Sequence, residues 1–134
     1  MQSNQACNTA IKGGFEMKLV EKLMKVCKEL EDAKWLEDKC RLPTDSGYID
    51  IKTRWGRNLI VERSRNVEAP WGVEYTTVTL MDVKNIRKTE YGIEAETDSG
   101  YLQVWSKWIP SDYAWGPHYH SNVYVYDKNL TVRI

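Results

Sequence analysis

The spacing of apolar residues changes at Pro43, and this change constrains the fold more than any other feature of the sequence. Between Met17 and Asp38, apolar residues recur three or four positions apart, as on one face of an amphipathic helix. Beyond Pro43, apolar and polar residues alternate, which is typical of half-buried strands. Because a residue that precedes proline is disfavoured in helical geometry, we predict one helix from Met17 to about Asp38 and a sheet after it.

Turn residues divide the alternating part into short candidate strands. These strands cover residues 48–55, 58–64, 73–83, 90–97, 101–108, 122–127 and 129–134. Links as short as Asp98-Ser99-Gly100 are hairpin lengths, so neighbouring strands should pair antiparallel. We predict an α+β fold in which one N-terminal amphipathic helix packs on an antiparallel meander of about five to seven strands. The alternation fits an open sheet and a sheet curled toward a barrel equally well.

The first 16 residues differ from the rest of the chain, because they are polar and lack apolar periodicity. They end shortly before a second methionine, Met17. Lys12-Gly13-Gly14 can be encoded as AAA GGA GGU, which contains a bacterial ribosome-binding sequence just upstream of that methionine codon. We therefore expect residues 1–16 to be a disordered leader or an upstream-start extension, and residues 17–134 to form a single α+β domain.

Charge and hydropathy limit the environments in which the chain is expected to work. Its 19 basic and 19 acidic residues balance, so no overall field attracts nucleic acid or an anionic membrane. The sequence shows no apolar run of membrane-spanning length and no secretory signal pattern. We expect the protein to stay in the cytoplasm of a bacterial cell and to have no membrane partner.

The cysteines are odd in number and widely spaced. Cys7, Cys27 and Cys40 show none of the close pairing of metal knuckles or redox motifs. We expect reduced thiols, as is usual in a reducing compartment. A structural disulfide between Cys27 and Cys40 is the alternative.

A five-residue segment, Thr-Asp-Ser-Gly-Tyr, occurs twice, at 44–48 and at 97–101. Each copy leads into a candidate strand, and each is later followed by the spacing Trp-Gly-x-x-Tyr, at 71–75 and at 115–119. We interpret the pattern as a duplicated strand, loop and strand unit. In the shared turn, Asp is expected to cap through its side chain and Gly to accept a positive φ.

Alternation assigns the two faces of the repeated strand. The face that is similar in both copies is predicted to be core, and its residues are Ile49, Ile51, Thr53 and Trp55 in one copy and Leu102, Val104, Ser106 and Trp108 in the other. The face that differs carries Tyr48, Asp50, Lys52 and Arg54 in one copy and Tyr101, Gln103, Trp105 and Lys107 in the other. Function is therefore expected on the differing face.

Aromatic and basic side chains on a surface are typical anchors for a protein partner. We expect partner-binding residues at Tyr101, Trp105, Lys107, Lys52, Arg54 and Arg57. The leading hypothesis is a small non-enzymatic protein-interaction module. At the level of a class, the expected role is that of a phage or mobile-element inhibitor of a host defence protein, similar to an anti-CRISPR role. The sequence leaves the oligomeric state open.

Two other functions remain open. A nucleic-acid-binding domain would use the basic hairpin 52–65, with Lys52, Arg54, Arg57, Arg63 and Arg65 on phosphates. A small-ligand-binding or metal-dependent protein would use an aromatic cavity, with His118, His120 and Asp112 as the weak metal set. No nucleophile elbow, phosphate loop or helical zinc motif occurs, so we expect neither catalysis nor a cofactor.

Overall fold

The computed structural model describes residues 17–67, 72–111, 116–128 and 130–133. The predicted leader, residues 1–16, lies outside these ranges. The described elements are α1 (Leu19–Glu29), β1 (Lys34–Leu36), β2 (Lys39–Pro43), β3 (Gly47–Arg54), β4 (Asn58–Val67), β5 (Gly72–Leu80), β6 (Asn85–Lys88), β7 (Gly92–Glu96), β8 (Gly100–Ile109), β9 (His118–Asp127) and β10 (Leu130–Arg133). No helix in these ranges is long and apolar enough to cross a membrane.

The strands form two five-stranded meanders. The first sheet has the order β1-β2-β3-β4-β5, and the second has the order β10-β9-β8-β7-β6. Every neighbouring pair is antiparallel. The predicted α+β class and antiparallel meander are confirmed. The expected single sheet of five to seven strands is instead two open sheets of five, and neither closes into a barrel.

One hydrophobic core lies between the two sheets and under the helix, since it includes Leu23 of α1, Ile51 of β3 and Val104 of β8. The helix packs against β1, β2 and β3 of the first sheet and against β6 of the second. At its start, the Glu21 carboxylate accepts a hydrogen bond of 2.9 Å from the Lys18 backbone N–H. The inner faces of both sheets are therefore covered, and their outer faces point away from each other.

The helix is shorter than the predicted span to Asp38. It ends at Glu29, because the next residue, Leu30, is extended, with φ −89° and ψ 128°. Residues 34–43 form the β1–β2 hairpin instead. Its turn passes through Glu37 at φ 57°, a left-handed conformation that glycine or asparagine usually occupies, so the sequence carries no recognisable turn signal there.

A disulfide joins Cys27 of α1 to Cys40 of β2, with a Cα–Cα separation of 5.7 Å. The expectation of reduced thiols is wrong for this pair. Both cysteines are fully buried. The β1–β2 hairpin brings β2 back alongside the helix, and the bond links the two elements.

The repeated segment forms equivalent turns in the two sheets, between β2 and β3 and between β7 and β8. The Thr44 N–H donates to the Gly47 carbonyl at 3.0 Å, and the Thr97 N–H donates to the Gly100 carbonyl at 2.8 Å. Each turn also accepts a backbone hydrogen bond from a later part of its own sheet, at the Ser46 carbonyl in the first sheet and at the Ser99 carbonyl in the second. The two meanders therefore correspond strand by strand.

The shared glycine is required by close approach of a neighbouring strand. A Cβ on Gly47 would lie 2.4 Å from the Ser64 carbonyl oxygen, and one on Gly100 would lie 2.0 Å from the Tyr126 carbonyl oxygen. Neither glycine has a positive φ, so that expectation is wrong.

The shared aspartate does not cap its turn as expected. Asp45 accepts from the Tyr119 N–H of the second sheet at 3.3 Å, and the Asp98 carboxylate lies 4.0 Å from Lys84 Nζ. In the second copy, Thr97 Oγ1 accepts the turn's backbone N–H groups instead. Threonine is therefore the capping residue of that turn.

The Trp-Gly-x-x-Tyr spacing is not part of the duplication. Tyr75 lies in β5, the fifth strand of its sheet, whereas Tyr119 lies in β9, the fourth. Trp71 and Trp115 fall outside the described residues. The repeat interpretation therefore holds for the turn and the strand after it, and not for this spacing.

The predicted core face is confirmed at the centre of each strand, where Ile49, Ile51, Leu102 and Val104 are buried. It is wrong for the two tryptophans, because Trp55 is 67% exposed and Trp108 is 46% exposed. Trp55 lies in the turn after β3, and Trp108 lies near the end of β8. Both positions are beyond the edge of the core.

Candidate functional site

The outer side of the second sheet carries a group of aromatic side chains. We call it the aromatic face and define it by Tyr101 and Trp105 of β8 and by His120, Tyr124 and Tyr126 of β9. The Tyr101 ring stacks on Tyr126 at 5.5 Å and lies 6.0 Å from Tyr124, and Trp105 meets His120 edge-on at 5.2 Å. The rings remain accessible, since His120 and Tyr126 are exposed and Tyr101 and Trp105 are half-buried.

Strand register explains why these rings meet. Cross-strand partners share a sheet face, and the β8–β9 ladder places Tyr101 opposite Tyr126 and Gln103 opposite Tyr124. Partial burial raises the pKa of the Tyr101 phenol, and the hydrogen bond with Tyr124 adds to this effect. The phenol of Tyr101 therefore stays neutral and able to donate at any physiological pH.

A cavity of about 420 Å³ adjoins one end of the aromatic face, and we call it the Trp105 cavity. Its walls include Tyr91, Gln103, Trp105 and Lys107. The Lys107 ammonium lies 5.0 Å from the centroid of the Tyr91 ring and makes no ion pair with a described residue. This end of the face therefore combines an apolar recess with an available positive charge.

On the side of the aromatic face toward β6 and β7, the charged side chains form ion pairs with one another. The Glu94 carboxylate accepts from Gln103 Nε2 at 2.7 Å and pairs with Arg87. Arg87 also pairs with Glu96 at 3.2 Å. These polar groups already hold one another, so they border the rings without adding a strong field.

The outer side of the first sheet is organised around an ion pair. Asp50, 4% exposed, accepts from Arg41 Nε at 2.8 Å and from its terminal nitrogen at 2.9 Å, and Lys39 Nζ lies 3.6 Å away. The Arg41 guanidinium stacks on the Tyr48 ring, 3.6 Å from its centroid. The hydrogen bond to Asp50 raises the pKa of Arg41, so the guanidinium stays charged. The Asp50 carboxylate and the Arg41 guanidinium at the centre of this face are thus occupied within the sheet.

The turn between β3 and β4 presents a third feature, which we call the Trp55 tip and define as residues 54–57. Trp55 has φ 55° and Gly56 has φ 72°, which are the signs of a type I′ turn. A bulky residue at the first position is unusual, since asparagine or glycine normally occupies it. The guanidinium carbons of Arg54 and Arg57 lie 4.4 and 5.9 Å from the indole centroid, and Arg57 also pairs with Asp82 at 3.5 Å.

The structure separates the six predicted partner-binding residues into two groups. Tyr101, Trp105 and Lys107 lie together on the outer side of β8. Arg54 and Arg57 lie in the Trp55 tip, and the exposed Lys52 lies on the outer side of the first sheet. Because the outer faces of the two sheets point in opposite directions, the two groups do not form one continuous surface.

The five residues of the nucleic-acid hypothesis are also dispersed. Arg63 points to the inner side, where it donates to Ser121 Oγ of the second sheet at 3.1 Å, and burial lowers its pKa. Arg65 pairs with Glu74. The eight-residue separation between Arg57 and Arg65 along β4 spans about 26 Å. Only Lys52, Arg54 and Arg57 remain near one another.

The two histidines of the metal hypothesis lie on the same side of β9, as the spacing predicts. His118 Nδ1 is 2.8 Å from the Gly116 carbonyl oxygen, and His120 contacts Trp105. Asp112 lies outside the described residues. Within the described ranges, no group of three histidine, cysteine or acidic side chains is arranged to hold a metal ion.

Tyr124 and Tyr126 are functional candidates that sequence reasoning missed. Alternation through 118–127 places them on the same side of β9 as His120. A short turn at Lys128 leads into β10 and sets the register of the β9–β10 pair. The signal was present, but it becomes visible only when β9 is aligned against β8. Comparison with protein-family models, curated proteins and solved structures finds no match to this chain.

Proposed function

We propose that this protein is a non-enzymatic protein-interaction module that binds a partner protein through the aromatic face. The observation that supports the proposal is an accessible trio of contacting tyrosines and, on the same side of the sheet, the contacting pair Trp105 and His120 beside the Trp105 cavity. Large rings that are held in place by their neighbours bury much area on binding and lose little side-chain entropy. They are therefore efficient anchors.

The chemistry of the face defines the partner surface. The Trp105 cavity suits an apolar side chain, and the Lys107 ammonium at its wall suits a nearby carboxylate. In this proposal the protein acts by covering a site on its partner, as an inhibitor of a host defence protein would. Inhibition of this kind needs a complementary surface and no catalytic group.

The test compares aromatic residues of the two sheets in a binding experiment. Full-length protein is immobilised in a lysate of its native host, together with the variants Trp105→Ala and Tyr101→Ala, and captured proteins are identified by mass spectrometry. Loss of a buried aromatic anchor should weaken binding about 30-fold, which corresponds to about 2 kcal/mol. Trp55→Ala is the matched control, because it removes an exposed ring from the Trp55 tip.

A partner that the wild type and Trp55→Ala retain, and that both aromatic-face variants lose, supports the proposal. Circular dichroism confirms that the variants fold. If no captured protein depends on Trp105 or Tyr101, the aromatic face is not the binding surface and the proposal fails.

A specific observation favours nucleic-acid binding as a second candidate function. Trp55 is 67% exposed and lies beside two guanidinium groups, and single-stranded nucleic acid is bound by such combinations of stacking ring and cation. Labelled single-stranded oligonucleotides should then show anisotropy changes that weaken steeply with salt and disappear in Trp55→Ala. Absence of binding at low salt would remove this candidate.

A further inference from the structure

The fifth strand of the first sheet has an unusual free edge. β5 spans nine residues and pairs with β4 in a regular ladder, from Leu59 opposite Leu80 to Val67 opposite Gly72. The other side of β5 has no strand partner among the described residues. In an antiparallel ladder, alternate residues point their N–H and C=O groups to that side. The edge therefore presents a row of available backbone donors and acceptors.

The other sheet edges are protected by ordinary means. β1 has three residues and β10 has four, and β6 has four residues and packs against α1. β5 has none of the usual protective devices, since it contains no proline, no lysine and no bulge. Its one charged residue, Glu74, is paired with Arg65.

Exposed apolar side chains gather along the same edge. Val73 and Tyr75 are 43% and 54% exposed, and Met81, directly after the strand, is 59% exposed. Most residues between them are β-branched, a composition that favours strand pairing. A long exposed edge whose single charge is already paired is a template on which a further strand can add.

We propose that two copies of this chain associate through β5, pairing antiparallel about a two-fold axis to form one continuous ten-stranded sheet. Antiparallel pairing of a strand with its own copy is two-fold symmetric by construction, so the interface closes as a dimer. Pairing about the strand centre, Thr76, places Glu74 opposite Val78 of the second copy, so no two acids face each other. It also places Tyr75 opposite Thr77, and Val73 opposite Thr79, close to Met81 of the second copy.

This dimer is independent of the proposed partner surface. The aromatic face belongs to β8 and β9 of the second sheet, whereas β5 is the outer strand of the first. Each dimer would therefore carry two aromatic faces, and failure of one proposal leaves the other unaffected.

Sedimentation equilibrium of the full chain over a range of concentrations tests the proposal. The wild type should be a dimer, and the variant Tyr75→Lys with Thr77→Lys should raise the dimer dissociation constant at least tenfold, because like charges meet across the axis. Both positions are exposed. Asn85→Lys with Ser111→Lys adds the same charge at exposed positions outside β5 and should leave the dimer intact.

A second variant of opposite charge tests the same interface in case the lysine variant folds poorly. Tyr75→Glu with Thr77→Glu should be monomeric alone, and mixing it with the lysine variant should give mixed dimers. A wild type that stays monomeric at high concentration, or a lysine variant that dimerises as the wild type does, would overturn the proposal.

Discussion

The two meanders have the same turn and similar apolar inner residues, but their outer faces differ in kind. In the first, Asp50 is buried in an ion pair with Arg41. In the second, the equivalent residue is Gln103, and Tyr101 and Trp105 beside it contact the rings of β9. Duplication has kept the residues that build the sheet and changed those that the core does not constrain. The contrast supports our proposal that the second outer face binds a partner.

The two outer faces also differ in how accessible their functional groups are to a partner. On the first face the nearly buried Asp50 is held by Arg41 and Lys39, so a partner that engaged these groups would have to break an existing ion pair. The rings of the second face keep accessible surface, and Lys107 has no ionic partner among the described residues. Binding at the second face therefore disrupts less of the existing structure.

The shared glycine gives the largest expected effect. Alanine at Gly47 or at Gly100 would place a Cβ within 2.4 or 2.0 Å of a carbonyl oxygen on the next strand. We expect both substitutions to lower the free energy of unfolding by at least about 3 kcal/mol, measured by urea denaturation. Gly116→Ala, where a Cβ meets nothing within 4 Å, is the control. A well-tolerated alanine in either turn would show that the two sheets are not built alike.

The disulfide distinguishes the first meander from the second at their equivalent second strands. Cys40 of β2 is bonded to the helix, whereas its counterpart in β7 is Ile93, a core residue without such a link. Closing a loop of this size stabilises a protein by about 3 kcal/mol. Reductant should therefore lower the free energy of unfolding by about that amount, and it should have no effect on the double variant Cys27→Ala with Cys40→Ala. Equal stability of the wild type with and without reductant would contradict the bond.

The outer faces should respond unequally to truncation at the equivalent positions 50 and 103. Asp50→Ala leaves Arg41 without its carboxylate, and we expect a loss of about 2 kcal/mol, because Arg41 itself is one-third exposed. Gln103→Ala removes one hydrogen bond to Glu94 and should lower the free energy of unfolding by under about 1 kcal/mol. Thermal and urea denaturation provide both values. Equal losses would remove the energetic contrast between the faces.

The smallest predicted effect is a pH dependence that is specific to the aromatic face. Burial raises the pKa of Tyr101 above its ordinary value of 10.0, so the folded protein holds this proton more tightly than the unfolded chain does. The associated stability is present below pH 10 and is lost as the pH rises through the folded pKa. Tyr101→Phe should therefore flatten the fall in melting temperature above pH 10. An unchanged slope would show that Tyr101 is as solvated as in the unfolded chain.

Sequence patterns predicted the elements whose signals are local. The apolar stripe gave the helix, and alternation with short turns gave seven of the ten strands. The β1–β2 hairpin was missed because Glu37 occupies a turn conformation without a glycine, and β6 was missed because four residues carry too little alternation. The Cys27–Cys40 bond was predicted only as the alternative to reduced thiols, since its geometry depends on where that hairpin returns.

The candidate site was predictable only in part. Alternation along β8 grouped Tyr101, Trp105 and Lys107 correctly on one side. It gave no information about how the two sheets face each other, so Lys52 and Arg54 were placed on the same surface when they lie on the opposite one. Relative placement of sheets depends on contacts between residues far apart in sequence, which periodicity does not encode.

The most direct measurement compares the two outer faces at one equivalent position. A photoreactive amino acid is placed at Lys107 in one variant and at its counterpart, Arg54, in another, and each is irradiated in a lysate of the native host. We expect a protein that is crosslinked specifically from position 107 and is absent from the crosslinks of position 54. Crosslinking of the same partner from position 54, with none from position 107, would contradict it.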